Sequence, residues 1–335
     1  MNTIKKTILF FSLLLACSFQ LFAQNDIQQN YTKEEIQIEM RDGVKLFTSV
    51  YAPRDKSISY PILITRMPFN SEPDKDHYSK WPSLFPHLLK EKYILVFQDV
   101  RGKFMSEGEF VEVRPYNPNK KNKEIDENSD AYDSIDWLVH NVENNNGNVG
   151  VFGISYMGFY ATMTLPNAHP ALKAVSPQAP VTDWFLGDDR HHNGAFFLMD
   201  SFPKSAAMGK PRNGPTRLNS KVPFDYKNKD NYAFYKELGP IKNMQQKPTV
   251  QANKFWSDLI KHPNYDSFWK ARNVLPHLKN IAPAVLVVGG WFDAEDLYGP
   301  LKTYEAIETQ NKTIENRLIM GPWFHGQWVV DEGEK

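Results

Sequence analysis

Short apolar runs that alternate with helical segments constrain the fold of this chain more than any other feature. The runs PILIT at 61–65, YILVF at 93–97 and AVLVV at 284–288 are too short for buried helices and are rich in β-branched residues. Strands buried on both faces have this composition, and parallel strands need crossover connections, usually helical, between them. The pattern therefore predicts an α/β protein with a mostly parallel sheet covered on both faces by helices.

The remaining patterns divide the chain into a core and an insertion. Alternating polar and apolar residues at 31–53, around an Arg-Asp-Gly turn, predict a β-hairpin. The stretch 184–276 has no clear strand pattern, and we interpret it as an irregular, mainly helical cap insertion. We therefore predict a core of residues 24–183 and 277–335. The further elements predicted for it are strands at 148–152, 172–176 and 317–320 and helices at 85–90, 130–140 and 301–307.

The N-terminus has the features of a targeting segment. Lys5 and Lys6 precede a short apolar run at 8–16, and Ala23 offers a small residue for cleavage. We predict a signal peptide at 1–23 and a secreted or periplasmic protein. Cys17 follows a Leu-Leu-Ala sequence that resembles a lipoprotein cleavage site, so a lipid-anchored form is the alternative. Because Cys17 is also the only cysteine, we expect neither a disulfide nor a cysteine-ligated metal site in the folded part.

The charge balance argues against one class of partner. The chain has 39 Lys and Arg residues against 39 Asp and Glu residues, which provides no overall positive charge for binding nucleic acid. We expect no nucleic-acid partner, and no metal or organic cofactor is implied. The sequence leaves the oligomeric state open, with a homo-oligomer as one alternative.

A Gly-Ile-Ser-Tyr-Met-Gly motif at 153–158 is the first candidate functional feature. It follows the apolar run NVGVF directly and precedes a helical segment, which is the setting of a nucleophile elbow. In such a turn the serine, here Ser155, is held in a strained conformation with its hydroxyl exposed. The next backbone N–H, here that of Tyr156, points into an oxyanion hole. The second glycine, Gly158, lies one position later than in the usual motif.

A serine nucleophile needs a base and an acid that orients the base. Asp293 follows the predicted strand at 284–288, and His325 follows the predicted strand at 317–320. The order serine, aspartate, histidine, each after a strand, is typical of a Ser-Asp-His triad on an α/β sheet. Taken singly, Asp293 is equally explained as a helix N-cap and His325 as a surface histidine. Together with Ser155 they predict a catalytic triad.

Six ordered blocks of the chain carry a resemblance to a known family. They are RDGVKLFTSVYAP, ITRMPFN, FQDVRGKFMSEGEF, GNVGVFGISYMGF, GGWFDAED and GPWFHG. In this order they resemble the X-prolyl dipeptidyl-peptidase/cocaine-esterase-like (CocE/NonD) hydrolases. The resemblance implies an α/β-hydrolase fold with a helical cap, and within the family it is closest to the α-amino-acid ester hydrolases. Members of the family usually continue into a C-terminal jelly-roll domain, which we expect to be absent because the chain stops at Lys335.

The resemblance also implies a carboxylate cluster that binds the α-ammonium group of the substrate. Its positions match Glu295 and Asp296, just after the triad aspartate, and Asp189 in a Gly-Asp-Asp segment. Converging carboxylates select a cation, because a cation relieves their mutual repulsion. The alternative is that these residues are ordinary helix-start and surface charges.

One family residue is replaced. The family supplies a second oxyanion donor from a tyrosine hydroxyl, where this chain has Phe69. Losing one such donor typically lowers kcat about 10²- to 10³-fold. We therefore expect either a slow enzyme or a substitute donor such as Asn70.

Three functions remain open on the sequence. The first is hydrolysis of esters or amides of α-amino acids, including β-lactam acylation, through an acyl-enzyme. The second is X-prolyl dipeptidyl-peptidase activity, and the third is a truncated, weakly active or inactive relative that acts as a binding protein. For the first two the expected partner is a small molecule or short peptide with a free α-amino group.

Overall fold

The computed structural model describes residues 27–71, 82, 85–187, 190–208, 212–217, 230–246 and 254–329 of the chain. The predicted signal peptide with Cys17 lies outside the described residues, and so does Asp189. Among the described residues, no helix has the length and apolar character needed to cross a membrane.

The first two strands form the predicted hairpin. Strand β1 (Tyr31–Glu39) pairs antiparallel with β2 (Lys45–Pro53), with Glu39 opposite Lys45. Gly43 adopts a φ of 88° in the connecting turn, and its N–H donates to the Met40 carbonyl at 2.8 Å. The left-handed conformation explains the glycine, since other residues adopt it only at a cost.

An eight-stranded sheet organises the core. Besides β1 and β2 it contains β3 (Tyr60–Met67), β4 (Ile94–Asp99), β5 (Asn145–Ile154), β6 (Leu172–Gln178), β9 (Ala284–Gly290) and β10 (Asn316–Gly321). The strand order is β1-β2-β4-β3-β5-β6-β9-β10, and every pair from β4 to β10 is parallel, whereas β2 runs antiparallel to β4. The predicted mostly parallel sheet is confirmed.

Helices connect the parallel strands, as predicted. They are α1 (Pro86–Lys90), α2 (Glu127–Asn141), α3 (Tyr156–Thr162) and α8 (Tyr298–Gln310). Helix α2 starts three residues earlier than predicted, because Asp126 and Ser129 form a reciprocal capping box. Its apolar face buries Ile135 and Leu138 in the main core cluster.

The predicted insertion is mainly helical. It contains α4 (Leu198–Met208), α5 (Asn231–Leu238), α6 (Lys254–Lys261) and α7 (Ser267–Arg272). A two-stranded ribbon, β7 (His191–His192) with β8 (Ala195–Phe196), was not anticipated, because two-residue strands leave no periodicity to detect.

A buried ion pair anchors the insertion on the core. Arg190 Nη2 lies 3.1 Å from Glu112 Oε2, and both side chains are almost fully buried. The guanidinium also lies 4.6 Å from the ring centroid of Trp184, a cation–π contact. Removing either charge would leave the other buried without its partner, so this pair fixes where the insertion sits over the sheet.

A second ionic cluster holds the loop after β4. Arg101 donates to Asp130 at 2.7 Å and to Asp42 at 2.7 Å. Asp99 accepts the backbone N–H groups of Ser71 and Met105, and its burial raises the pKa of its carboxyl to about 7. These groups bind the loop rather than face a ligand, which is a structural role.

Candidate active site

Ser155 occupies a sharp turn between a strand and a helix. Strand β5 ends at Ile154 and helix α3 begins at Tyr156, so Ser155 alone makes the turn. Its φ is 64° and its ψ −126°, a region that residues with a side chain rarely adopt. Its N–H donates to the Gln178 carbonyl of the neighbouring strand at 2.9 Å, which holds the strained conformation.

Both glycines of the motif are required by close backbone contacts. A Cβ atom on Gly153 would lie 2.3 Å from the Met157 carbonyl oxygen. One on Gly158 would lie 2.7 Å from the Gln178 carbonyl oxygen. The second glycine is therefore needed at position 158, where the helix passes the end of β6, and position 157 accommodates methionine against an apolar cluster.

Replacing Gly153 with alanine is expected to destabilise the fold by about 3 kcal/mol, the upper end of ordinary overpacking costs. The reason is that the new methyl group meets backbone, which cannot rotate away. The matched control is Gly150→Ala on the same strand, where the contact at 2.9 Å is with the flexible Leu63 side chain. Denaturant unfolding of both variants checks this, and equal losses would contradict it.

Asp293 and His325 meet beyond the ends of β9 and β10. His325 Nδ1 lies 2.9 Å from Asp293 Oδ2. The other oxygen, Oδ1, accepts the backbone N–H groups of Glu295 and Asp296, each at 2.9 Å. The Asp293 side chain is completely buried, whereas that of His325 is partly exposed. A buried, fully hydrogen-bonded carboxylate of this kind fixes the orientation and tautomer of the imidazole.

The two loops are held together by their backbones. The Phe292 N–H donates to the Trp323 carbonyl at 3.0 Å, and the Trp291 N–H donates to the Gly321 carbonyl at 2.8 Å. A Cβ atom on Gly290 would lie 2.2 Å from the Trp323 carbonyl oxygen, so glycine permits this close approach. The contacts set the Asp293 loop against the His325 loop.

Two further carboxylates border the same site. Asp296 Oδ2 lies 3.4 Å from Ser155 Oγ and 3.8 Å from His325 Nδ1. Glu295 Oε2 lies 3.8 Å from His325 Nε2. The structure thus brings together five of the sequence-predicted site residues, Ser155, Asp293, Glu295, Asp296 and His325. In this arrangement the Ser155 hydroxyl donates its recorded hydrogen bond to Asp296 rather than to the imidazole.

The sequence-family model of the X-Pro dipeptidyl-peptidases (S15 family) matches residues 42–327, which is most of the chain. This chain belongs to the S15 family. The match begins within the hairpin turn and covers all the parallel strands and both loops that carry Asp293 and His325.

Relatives and solved structures agree with this assignment. The cocaine esterase of Rhodococcus sp. (strain MB1 Bresler) is 26% identical over 312 residues, covering 89% of this chain and 50% of that protein. The aminopeptidase of a marine sediment archaeon, Thaumarchaeota archaeon, superposes with a TM-score of 0.80 at 34% identity, covering 90% of this chain and 50% of the other. An α-amino acid ester hydrolase superposes with a TM-score of 0.78 at 34% identity, covering 90% and 49%.

These comparisons confirm the expected α/β-hydrolase fold with its cap insertion. The chain spans about half the length of the relatives it matches.

Tyr156 combines two structural roles in this S15-family chain. As the first residue of α3, its N–H has no intrahelical acceptor and lies beside Ser155. Its side chain is buried, and the hydroxyl accepts the Val113 N–H at 2.9 Å. Burial raises the pKa of this phenol well above its usual value. The side chain therefore locks the start of the helix, and with it the N–H beside the serine.

Sequence reasoning missed a lysine at the site. Lys204, on α4 of the insertion, forms ion pairs with Glu295 and, at 3.0 Å, with Asp200 Oδ2. Asp200 lies one helical turn earlier on α4, so this pair resembles many surface pairs in sequence. No local pattern indicates that the helix lies over the loop after β9.

Proposed function

We propose that the chain is a serine hydrolase that cleaves esters or amides of α-amino acids through an acyl-enzyme. The observation that carries the proposal is the meeting of a strained serine, a buried Asp–His pair and two extra carboxylates within one site. Backbone strain at a serine between strand and helix destabilises the fold, and such strain is found mainly at functional sites. Membership of the S15 family and the 34% identity to an α-amino acid ester hydrolase support the same reaction class.

Each residue of the site has one role in the proposed acyl transfer. Ser155 Oγ attacks the substrate carbonyl carbon while His325 Nε2 accepts the hydroxyl proton and then gives it to the leaving group. Asp293 keeps the other imidazole nitrogen protonated and stabilises the imidazolium. The Tyr156 N–H donates to the oxyanion, and water then attacks the acyl-enzyme by the same sequence of proton transfers.

The carboxylates supply the substrate preference in this proposal. Asp296 and Glu295 carry negative charge within 4 Å of His325, and Asp296 Oδ2 also lies 3.4 Å from Ser155 Oγ, so both border the place where an ammonium group next to the scissile carbonyl would lie. An ammonium group bound to Asp296 competes with the serine hydroxyl for that carboxylate. The hydroxyl then turns towards His325 Nε2, so binding of the cation and activation of the nucleophile are linked. The family resemblance implies Asp189 as the third member of the proposed carboxylate cluster.

The runner-up is an X-prolyl dipeptidyl-peptidase, which the family model itself names. Its substrates also carry a free ammonium group, so the same carboxylates serve it. The two functions differ in the residue next to the scissile bond, and a substrate panel separates them.

The deciding experiment compares three substrates of the purified protein. These are D-phenylglycine methyl ester, methyl phenylacetate (the same ester without the amino group) and Gly-Pro-p-nitroanilide. Turnover of the first with kcat/KM at least about tenfold above the second is the expected result, since a charge-assisted contact contributes about 1.5–3 kcal/mol. Turnover of the anilide alone would favour the peptidase. No turnover of any, with no labelling by a fluorophosphonate probe, would contradict both.

Glu295→Gln is expected to lower kcat/KM for D-phenylglycine methyl ester about tenfold, because the amide keeps the shape but loses the charge that binds the ammonium. Methyl phenylacetate loses no ammonium contact, so its kcat/KM should fall by much less, and any effect of Glu295 on His325 Nε2, 3.8 Å away, is common to both esters. Glu305→Gln is the matched control, since Glu305 pairs with Lys302 on the exposed face of α8. Equal losses on both esters would remove Glu295 from the ammonium site.

A further inference from the structure

Lys204 brings a primary ammonium group to the carboxylate that the proposed function reserves for the substrate. Its Nζ forms an ion pair with Glu295, and the side chains of Lys204 and Glu295 are 31% and 26% exposed. Such partial burial screens the pair less than open solvent would. Asp200 holds the same Nζ at 3.0 Å, so Lys204 bridges helix α4 and the loop after β9.

We propose that Lys204 is an internal cation that competes with the α-ammonium group of the substrate and so limits the preference for α-amino substrates. This inference rests on the proposed function. The lysine ammonium and the substrate ammonium have the same charge and the same hydrogen-bonding groups, so a Glu295 oxygen that serves one serves the other less well. A cationic substrate must displace or tolerate Lys204, whereas a neutral ester meets no such repulsion.

The charges around Lys204 explain why it is seated there. Asp200 lies on its own helix, and Glu295 faces it from the loop after β9, with Asp296 beyond it beside Ser155. Lys204 offsets part of this negative charge while the site is empty. Without it the site has more net negative charge, which favours a cation further over a neutral group.

Lys204 also has an indirect effect that the experiment must separate. The other oxygen of Glu295 lies 3.8 Å from His325 Nε2, the nitrogen proposed to take the serine proton. Releasing Glu295 from Lys204 therefore changes the surroundings of the base. Any resulting change in kcat applies to both esters, because both use the same triad. The ratio of their kcat/KM values cancels it.

The test uses Lys204→Met, which keeps an apolar stem of similar length without the charge. We expect the ratio of kcat/KM for D-phenylglycine methyl ester to that for methyl phenylacetate to rise about 3- to 5-fold, the upper part of the range for an exposed ion pair, because this one is partly buried. Lys204→Arg, which keeps the charge, and Lys302→Met, which removes an exposed lysine on α8, should leave the ratio within about twofold. An unchanged or lower ratio in Lys204→Met would overturn the inference.

A binding measurement separates this inference from the hydrolase proposal. Calorimetric titration with benzylamine, a cation of similar size without an ester, should give a Kd about 3- to 5-fold lower for Lys204→Met than for the unmodified chain. Benzyl alcohol serves as the neutral comparison. In the Glu295→Gln background this gain should shrink, because the competition acts through Glu295. If no ester is turned over, the hydrolase proposal fails while benzylamine affinity still decides the role of Lys204, and equal affinities would refute it.

Discussion

Asp293→Asn is expected to lower kcat about 10⁴-fold while leaving the protein folded. The backbone N–H groups of Glu295 and Asp296 both donate to Asp293 Oδ1, so an asparagine must place its oxygen there. Its NH₂ group then faces His325 Nδ1, which has to become the acceptor. The imidazole proton moves to Nε2, and the ring cannot accept a proton from Ser155.

The chain offers a matched control for this prediction. Asp266 Oδ2 lies 2.6 Å from His262 Nδ1, and Asp266 Oδ1 accepts the Phe268 N–H at 2.9 Å, at the start of helix α7. Asp266→Asn therefore disturbs an Asp–His pair of the same chemistry outside the candidate site, and kcat should stay within about twofold. Steady-state kinetics with circular dichroism checks both variants. Full activity of Asp293→Asn would contradict the proposed triad.

Ser155→Ala is expected to abolish turnover, with a loss of about 10⁴-fold or more, because Ser155 Oγ is the atom that forms the acyl-enzyme in the proposed mechanism. Labelling by a fluorophosphonate should disappear as well. Ser176→Ala on the neighbouring strand is the control, since its hydroxyl donates to the Leu286 carbonyl at 2.9 Å and accepts a hydrogen bond from Gln178 Nε2 at 3.1 Å. Persistent labelling of Ser155→Ala would show that the nucleophile lies elsewhere.

Backbone strain at Ser155 also predicts a difference in stability between two inactive variants. Ser155 has a φ of 64°, so Ser155→Gly should be more stable than Ser155→Ala by about 1–3 kcal/mol. Both variants lack the nucleophile, and they differ only in the Cβ atom that suffers the strain. Denaturant midpoints of the two measure it. A less stable glycine variant would mean that the turn stores no strain at Ser155.

Much of the fold followed from local sequence patterns. Short apolar runs marked the parallel strands, because a strand buried on both faces has to be apolar throughout. The turn at Ser155 was identifiable because close backbone contacts demand glycine at 153 and 158. Asp293 and His325 were found because loops after parallel strands meet at one edge of the sheet. Helix limits were less accurate, as α8 extends from Tyr298 to Gln310 rather than over 301–307.

Other features depended on contacts between distant segments. The order in which β4 pairs between β2 and β3 has no signature in any single strand. The insertion was predicted to be mainly helical, but nothing in the sequence of α4 indicates that Lys204 faces Glu295.

The sequence alone therefore determined the mostly parallel character of the sheet, the turn that strains Ser155 and the residue types that reach the site, since each depends on periodicity or on sterics within a few residues. The tertiary structure decided that Asp296, 141 residues from Ser155, accepts a hydrogen bond from the serine hydroxyl. It also decided that Lys204 forms an ion pair with Glu295. Those contacts depend on how the loops and the insertion pack over the edge of the sheet. Such packing is set by the whole core and by buried pairs such as Arg190 with Glu112, not by any local run of residues.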